Sequence, residues 1–169
     1  VFREADAHVG GDGKIRVLES VDGKVWNSVA LVDENGIDLR DPHVSITTDG
    51  RLMLVMGGSI YKGTKTLVGR QPRVSFSKDA RNWTAPQRVA SDGDWLWRVT
   101  WHDGQAYGVG YQTNDSPERF ATLFRSPDGK HYEVVVERLF DSGYPNETSL
   151  VFTADNTCYC LLRRDAGSK

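Results

Sequence analysis

The most regular feature of this chain is an alternation of apolar and polar residues on both sides of short turns. Residues 44–55 read as an alternating run, a turn that contains Asp49, and a second apolar run. The same arrangement returns around Asp103 and again around Asp155. An Asp-Gly turn between alternating runs is a strong short-range signal of a β-hairpin. The pattern therefore predicts three hairpins, with turns spaced by 54 and 52 residues.

A second motif recurs with nearly the same period. It reads Ser, any residue, Asp, and then an aromatic residue four positions after the Asp, and its serines are spaced by 57 and 49 residues. Its Ser and Asp side chains can hydrogen-bond the backbone of a turn while the aromatic ring packs beneath it. We therefore expect a structural role for these carboxylates. The three copies are Ser20, Asp22 and Trp26; Ser77, Asp79 and Trp83; and Ser126, Asp128 and Tyr132.

The two motifs together predict the fold. Each repeat contains two hairpins, hence four antiparallel strands, and helical periodicity is almost absent. A four-stranded sheet repeated every fifty residues or so is typical of a β-propeller. The predicted class is all-β, with about three blade equivalents of four antiparallel strands in one partial domain, 1–169. The end of one blade spans 1–33, two blades span 41–91 and 97–140, and 147–169 begins another.

Propellers usually close with about four to eight blades, so roughly three would leave a ring open. Three explanations are consistent with this count: a fragment or truncated chain, two copies that close one ring, and strand exchange among chains. We favour a fragment of a natural propeller, with a self-assembled half-propeller as the second interpretation.

Composition narrows the function classes. The 169 residues carry 21 Lys and Arg against 23 Asp and Glu, a net charge of −2, which does not indicate a nucleic-acid partner. No apolar run approaches the roughly 20 residues that span a bilayer. Cys158 and Cys160 have too few Cys or His neighbours for a metal site, and no cofactor motif is evident. The chain begins at Val1, so its localisation stays open, secreted or periplasmic if a leader was removed.

The Ser-x-Asp motif resembles the Asp box, or bacterial neuraminidase repeat, of sialidase-like propellers. The stretches 41–46, 97–108 and 145–150 are similar to those of bacterial sialidase-family glycosyl hydrolases, and the resemblance extends over most of the chain. It implies a cluster of arginines that grips a sugar carboxylate, an Asp acid/base, and a Tyr nucleophile activated by Glu. Three arginines are candidates for that cluster: Arg40, Arg98 and Arg164.

The run Arg40-Asp41-Pro42 also resembles the Arg-Asp-Pro of five-bladed glycosidases that act on fructans and related sugars. That resemblance implies an Asp that stabilises the transition state and a Glu in a later blade that donates the proton.

Candidate site residues lie in the loops opposite the turns and Asp boxes, where irregular loops carry function in propeller-like frames. Asp41, Arg98 and Glu147 precede or begin the first strands of successive repeats, so we expect them to converge on one pocket. We assign proton donation to Glu147 and the role of charged partner to Asp41. Trp faces stack on sugar rings and Arg binds carboxylates. The predicted binding residues are Arg40, His43, Trp97, Arg98, Tyr144 and Arg164.

Several of these residues also have structural interpretations. Arg40 and Asp41 could pair with each other, and the tryptophans could belong to the core. The leading functional hypothesis is an exo-acting sialidase-like glycoside hydrolase, or a fragment of one, with a carbohydrate ligand. The alternatives are a non-catalytic carbohydrate- or protein-binding propeller and a truncated or engineered half-propeller that assembles as a homo-oligomer.

Overall fold

The computed structural model describes residues 1–8, 10, 13–63, 66–113 and 118–166. Within these ranges the chain forms β-strands and no helix, so none of the described segments is a helix that could cross a membrane. The strands are β1 (Phe2–Glu4), β2 (Lys14–Glu19), β3 (Asn27–Val32), β4 (Asp38–Ile46), β5 (Leu52–Lys62), β6 (Thr66–Ser77), β7 (Gln87–Arg88), β8 (Asp94–His102), β9 (Gln105–Gln112), β10 (Ala121–Ser126), β11 (Glu133–Phe140), β12 (Pro145–Phe152) and β13 (Cys158–Arg164).

The strands form four antiparallel sheets in chain order. The first sheet is β1-β2-β3, the second is β4-β5-β6-β7, the third is β8-β9-β10-β11, and the fourth is β12-β13. Each strand pairs with the one before it, so every sheet is a simple meander. The prediction of an all-β fold built from antiparallel sheets is confirmed. The finer statement, that these sheets are blades of a propeller, stays a prediction.

The predicted hairpin turns connect the first two strands of the later sheets. They join β4 to β5, β8 to β9, and β12 to β13. Left-handed backbone occurs in each turn, at Gly50, at Asp103 and Gly104, and at Asn156. Two consecutive residues with positive φ, as at Asp103 and Gly104, are typical of the type I′ turn that matches the twist of paired strands.

The three Asp boxes form the turns that precede the last strand of the first, second and third sheets. In each box the aspartate accepts hydrogen bonds from two backbone N–H groups of the turn. At Asp79 these donors are Arg81 and Asn82, at 2.9 and 2.7 Å. Hydrogen bonds to the charged carboxylate, first among them that from the Asn82 backbone, hold the pKa of Asp79 well below its usual range.

Apolar clusters lie between successive sheets because β-strand side chains alternate between the two faces. On β5, Leu54 and Met56 pack toward the first sheet, whereas Met53 and Val55 pack toward the third. Burial on both faces explains why this strand reads as a continuous apolar run. A third cluster, which contains Val109, Ala121 and Leu150, joins the third and fourth sheets.

The two cysteines lie on β13. Cys158 and Cys160 are both free and both exposed, and desolvation raises the pKa of each thiol. No group of three or more His, Cys, Asp or Glu side chains in the described parts of the chain is arranged to hold a metal ion.

Candidate functional site

The first strands of the second, third and fourth sheets each contain a β-bulge near the same end. The register shifts between Arg40 and His43 on β4, and at matching places on β8 and β12. A bulge bends its strand and redirects side chains, and such bulges are common beside active sites. The bulged segments contain Asp41, Trp97 and Glu147. Asp41 also has a left-handed backbone, with φ of 47°, which is unfavourable for a residue other than glycine.

A pocket of about 440 Å³ opens at this end of the sheets. Its walls come from several strands and from the loops that follow them. The lining includes Arg40, Asp41, Tyr61, Arg70, Trp95, Tyr111, Arg119 and Tyr144. Three of these residues were predicted for the site: Arg40, Asp41 and Tyr144.

Asp41 is the carboxylate within this pocket. Burial raises the pKa of Asp41, the Arg40 guanidinium opposes that shift, and the nearby Glu147 carboxylate adds to it. The side chain of Trp95 also opposes the rise in the pKa of Asp41. The result is a half-buried carboxyl group whose proton is held more tightly than in an ordinary aspartate.

Glu147 approaches from β12 and has a different environment. It forms an ion pair with Arg163 at 2.9 Å, and 34 % of its side chain is exposed. Arg163 also pairs with Asp165 at 2.8 Å. Two carboxyl groups that interact electrostatically and have such unlike surroundings are suited to different roles.

Tyr111 lies close to both carboxyl groups. Burial raises the pKa of its phenol, and the Glu147 and Asp41 carboxylates raise it further, so the phenol stays protonated at neutral pH. Tyr111 therefore offers the pocket an O–H group beside the two carboxyl groups.

Three arginines surround these groups. Arg40 contacts the buried Asp38 at 3.4 Å, and Asp38 is held in turn by Arg3 at 2.7 Å. Arg40 therefore forms its ion pair with Asp38, and not with Asp41 as the sequence suggested. The guanidinium of Arg70 lies 5.7 Å from the ring centre of Trp95.

Arg119 completes this cationic set, with its guanidinium 4.9 Å from the ring centre of Tyr144. It also donates a hydrogen bond to the Gln112 carbonyl at 2.5 Å. Neither Arg70 nor Arg119 forms an ion pair with a carboxylate among the residues that the structure describes.

Three other predicted binding residues contact one another outside this pocket. Arg98 donates to Nδ1 of His43 at 3.3 Å, and the rings of His43 and Trp97 meet edge to face at 5.0 Å. Burial, followed by the charge of Arg98, lowers the pKa of His43 to about 4, so His43 is neutral at pH 7. His43 and Arg98 line a separate shallow groove between β4 and β8.

Arg164 lies on the opposite side of β13 from Glu147, with its guanidinium 5.8 Å from the ring centre of Phe140. Its neighbour Arg163 is the arginine that contacts Glu147. Neighbouring residues of a strand point to opposite faces, so only one of the two can reach the site.

Sequence reasoning did not select Arg70, Trp95, Tyr111 or Arg119 as site residues. All four lie in the loops expected to carry function, 57–72, 91–98 and 111–120, and this position was the only signal in the sequence that pointed to them. Nothing in the local pattern separates them from residues that pack in the core. Trp95, for example, is only 4 % exposed and yet lines the pocket with Asp41.

Comparisons with known proteins give the fold without a function. No family model matches this chain, and no curated protein matches it. Among solved structures, a protein of unknown function from Dyadobacter fermentans DSM 18053 superposes with a TM-score of 0.77 at 18 % sequence identity. The match covers 95 % of this chain and 54 % of that protein, so this chain spans about half the length of that relative.

Proposed function

We propose that this chain carries the sugar-cleaving pocket of a sialidase-like β-propeller glycoside hydrolase. The observation that carries the proposal is that Asp41 lines the pocket and lies within electrostatic range of Glu147, which comes from a different sheet and is not itself part of the lining. A pair of carboxyl groups across a glycosidic bond is the usual machinery for its hydrolysis. The propeller interpretation is supported by the four successive meanders and by the three Asp-box turns.

The environments of the two groups favour Asp41 as the proton donor, which reverses the roles predicted from the sequence. A general acid must hold its proton near the working pH, and Asp41 is the group whose pKa burial raises. Glu147, ion-paired with Arg163, is the better candidate for the charged partner that stabilises positive charge at the sugar.

The rest of the lining suits an acidic sugar. Arg70 and Arg119 lie near aromatic rings, and apart from the hydrogen bond that Arg119 donates to the Gln112 carbonyl their N–H groups are candidates to bind a ligand carboxylate. Tyr111 and Tyr144 add hydroxyl groups that can bond sugar oxygens.

Hydrolysis of fluorogenic aryl glycosides of neutral and acidic sugars tests this proposal. We expect cleavage of an acidic sugar, and a loss of about 10²–10⁴-fold in kcat/KM for both Asp41→Asn and Glu147→Gln. Glu133→Gln is the matched control, because Glu133 is an exposed carboxylate of β11 outside the pocket. Unchanged turnover in either site variant would contradict the assignment.

A non-catalytic carbohydrate-binding site is the second candidate. The ion pair between Glu147 and Arg163 favours it, because this contact already satisfies the charge of one proposed catalytic group. Calorimetric titration with the free acidic sugar separates the two functions. Binding without cleavage of any glycoside in the panel would favour this second candidate over the hydrolase.

A further inference from the structure

A single turn supports the cationic side of the pocket. It comprises residues 91–94, between β7 and β8. The N–H of Gly93 in this turn donates to the Arg70 carbonyl of β6 at 2.8 Å. The carbonyl of Gly93 accepts from the N–H and from the hydroxyl of Thr113, at 2.8 and 2.9 Å. The turn therefore ties the end of β9, which Thr113 follows, to β6.

The buried Asp94 holds this turn together. It is the first residue of β8 and is only 6 % exposed. One carboxylate oxygen accepts from the Ser91 N–H at 3.0 Å, and the other accepts from the side-chain amide of Gln112. Burial raises the pKa of Asp94, and these two hydrogen bonds oppose the rise. Both oxygens thus bond groups of the protein, and Gln112, but not Asp94, belongs to the pocket lining.

Gln112 connects this buried carboxylate to an arginine of the pocket. Asp94 and Gln112 are cross-strand partners where β8 begins and β9 ends. The main-chain carbonyl of Gln112 accepts a hydrogen bond from the Arg119 guanidinium at 2.5 Å. Arg119 lines the pocket with its guanidinium near the ring of Tyr144. Successive hydrogen bonds therefore run from the Asp94 carboxylate through Gln112 to Arg119.

The second sheet has a similar arrangement at the equivalent place. Asp38 is the first residue of β4, as Asp94 is of β8, and it is 1 % exposed. Its carboxylate accepts from the Gly13 N–H at 3.0 Å and contacts the guanidinium of Arg40 at 3.4 Å. Both strands thus begin with a buried aspartate that accepts a main-chain N–H and supports an arginine of the pocket.

We propose that Asp94 is a positioning residue that holds Arg119 where it binds the carboxylate of the ligand. This inference rests on the proposed function, since it concerns an acidic ligand. A guanidinium binds a carboxylate through a planar set of donors, so its orientation determines the strength of the contact. Asn at position 94 would keep the shape of the side chain. It would lose one of the two hydrogen bonds, because one of its polar atoms is a donor.

Calorimetric titration with N-acetylneuraminic acid and with glucuronic acid, as two acidic probes, tests the role of Asp94. For Asp94→Asn we expect Kd to rise about tenfold, the effect of weakening one hydrogen bond to a charged group. KM for the cleaved aryl glycoside should rise equally, with kcat unchanged. Asp79→Asn is the matched control, since Asp79 also holds a turn through main-chain N–H groups, and it should change neither value.

The possible results separate this inference from the proposed function. If the unaltered protein neither binds nor cleaves either probe, the proposed function fails and the inference fails with it. If the unaltered protein binds a probe and Asp94→Asn binds it equally well, only the inference fails. Gln112→Met provides a second variant in case Asp94→Asn does not fold. It removes the amide that bonds Asp94 but keeps the carbonyl that bonds Arg119, and it should weaken binding in the same way.

A double-variant cycle shows whether Asp94 acts through Arg119. Arg119→Met removes the guanidinium and should itself weaken binding of the acidic probe. In that background Asp94→Asn should raise Kd by no more than about twofold, because the group that it positions is absent. A general loss of structure would instead weaken binding in both backgrounds. A full tenfold effect of Asp94→Asn in Arg119→Met would therefore overturn the proposal.

Discussion

At the scale of single residues, Asp41 combines two unfavourable features in one place. Its backbone adopts a left-handed conformation, and its carboxyl group is half-buried beside a second carboxylate. Strained backbone and destabilised charges persist where the surrounding structure imposes them, and they are concentrated at functional sites. Here the bulge in β4 sets the backbone of Asp41, and Trp95 lines the same pocket beside it.

Asp41→Asn should stabilise the fold at neutral pH. The native pKa of Asp41 is raised above the ordinary value of 3.8, so the native state binds more protons and loses stability as pH rises between the two values. At pH values above this range the half-buried carboxylate is charged and destabilises the native state. The neutral Asn side chain removes that destabilisation. We expect a melting temperature higher by about 2–4 °C at pH 7.

The same measurement at acidic pH is the control for that prediction. Well below pH 3.8 the carboxyl group is protonated in both the folded and the unfolded state, so the difference between Asp41→Asn and the native protein should vanish. A stabilisation that persists at low pH would show that the charge is not its cause.

At the scale of strands, glycine on β5 makes room for the pocket wall. A Cβ on Gly57 would collide with the indole of Trp95, which reaches across from β8. The absence of a side chain at position 57 thus lets Trp95 lie beneath the site and reach Asp41. This close approach explains why position 57 is a glycine although it lies within a strand and not in a turn.

Gly57→Ala should therefore destabilise the protein by about 1–3 kcal/mol, the usual cost of overpacking, and should weaken ligand binding in the pocket. Gly69→Ala is the matched control, because Gly69 also lies in a strand and a Cβ there meets only Ile60 at an ordinary distance of 3.6 Å. Urea unfolding of both variants measures the difference. Equal stability of the two would show that Trp95 moves aside at no cost.

At the scale of the whole molecule, an ion pair between a buried arginine and a partly exposed glutamate joins the loop between the first two sheets to the second sheet. Arg73 on β6 is 2 % exposed and contacts Glu34, in the loop between β3 and β4, at 2.8 Å. Arg73 also donates to the Gln71 carbonyl at 3.1 Å. The loop that leads from the first sheet to the second is therefore tied to the third strand of the sheet it enters.

Glu34→Ala should lower the free energy of unfolding by about 3 kcal/mol, because it leaves the charge of Arg73 buried without its partner. The double variant Glu34→Ala/Arg73→Met should regain much of this loss. Glu133→Ala, which breaks the exposed pair with Arg125, should cost no more than about 1 kcal/mol. Equal losses in Glu34→Ala and Glu133→Ala would mean that burial does not strengthen the first contact.

The sequence by itself determined the strands, the hairpin turns and the Asp-box turns, because these depend on residues close together in the chain. Alternation sets which faces of a strand are buried, and Asp followed by Gly allows the left-handed turn at Asp103. The repeat period also placed Asp41 and Glu147 at equivalent positions of their strands, which is why both were predicted for one site.

Only the tertiary structure decided which side chains surround those carboxylates and what each can do. Trp95 and Tyr111 read as ordinary strand residues, and their contact with Asp41 depends on how neighbouring sheets pack. The choice of Arg163 over Arg164 at Glu147 depends on which face of β13 each side chain occupies, and Arg164 is the one that faces Phe140 of the third sheet. The favoured proton donor changed for the same reason, since burial and charge at a carboxyl group arise from distant segments that local sequence does not specify.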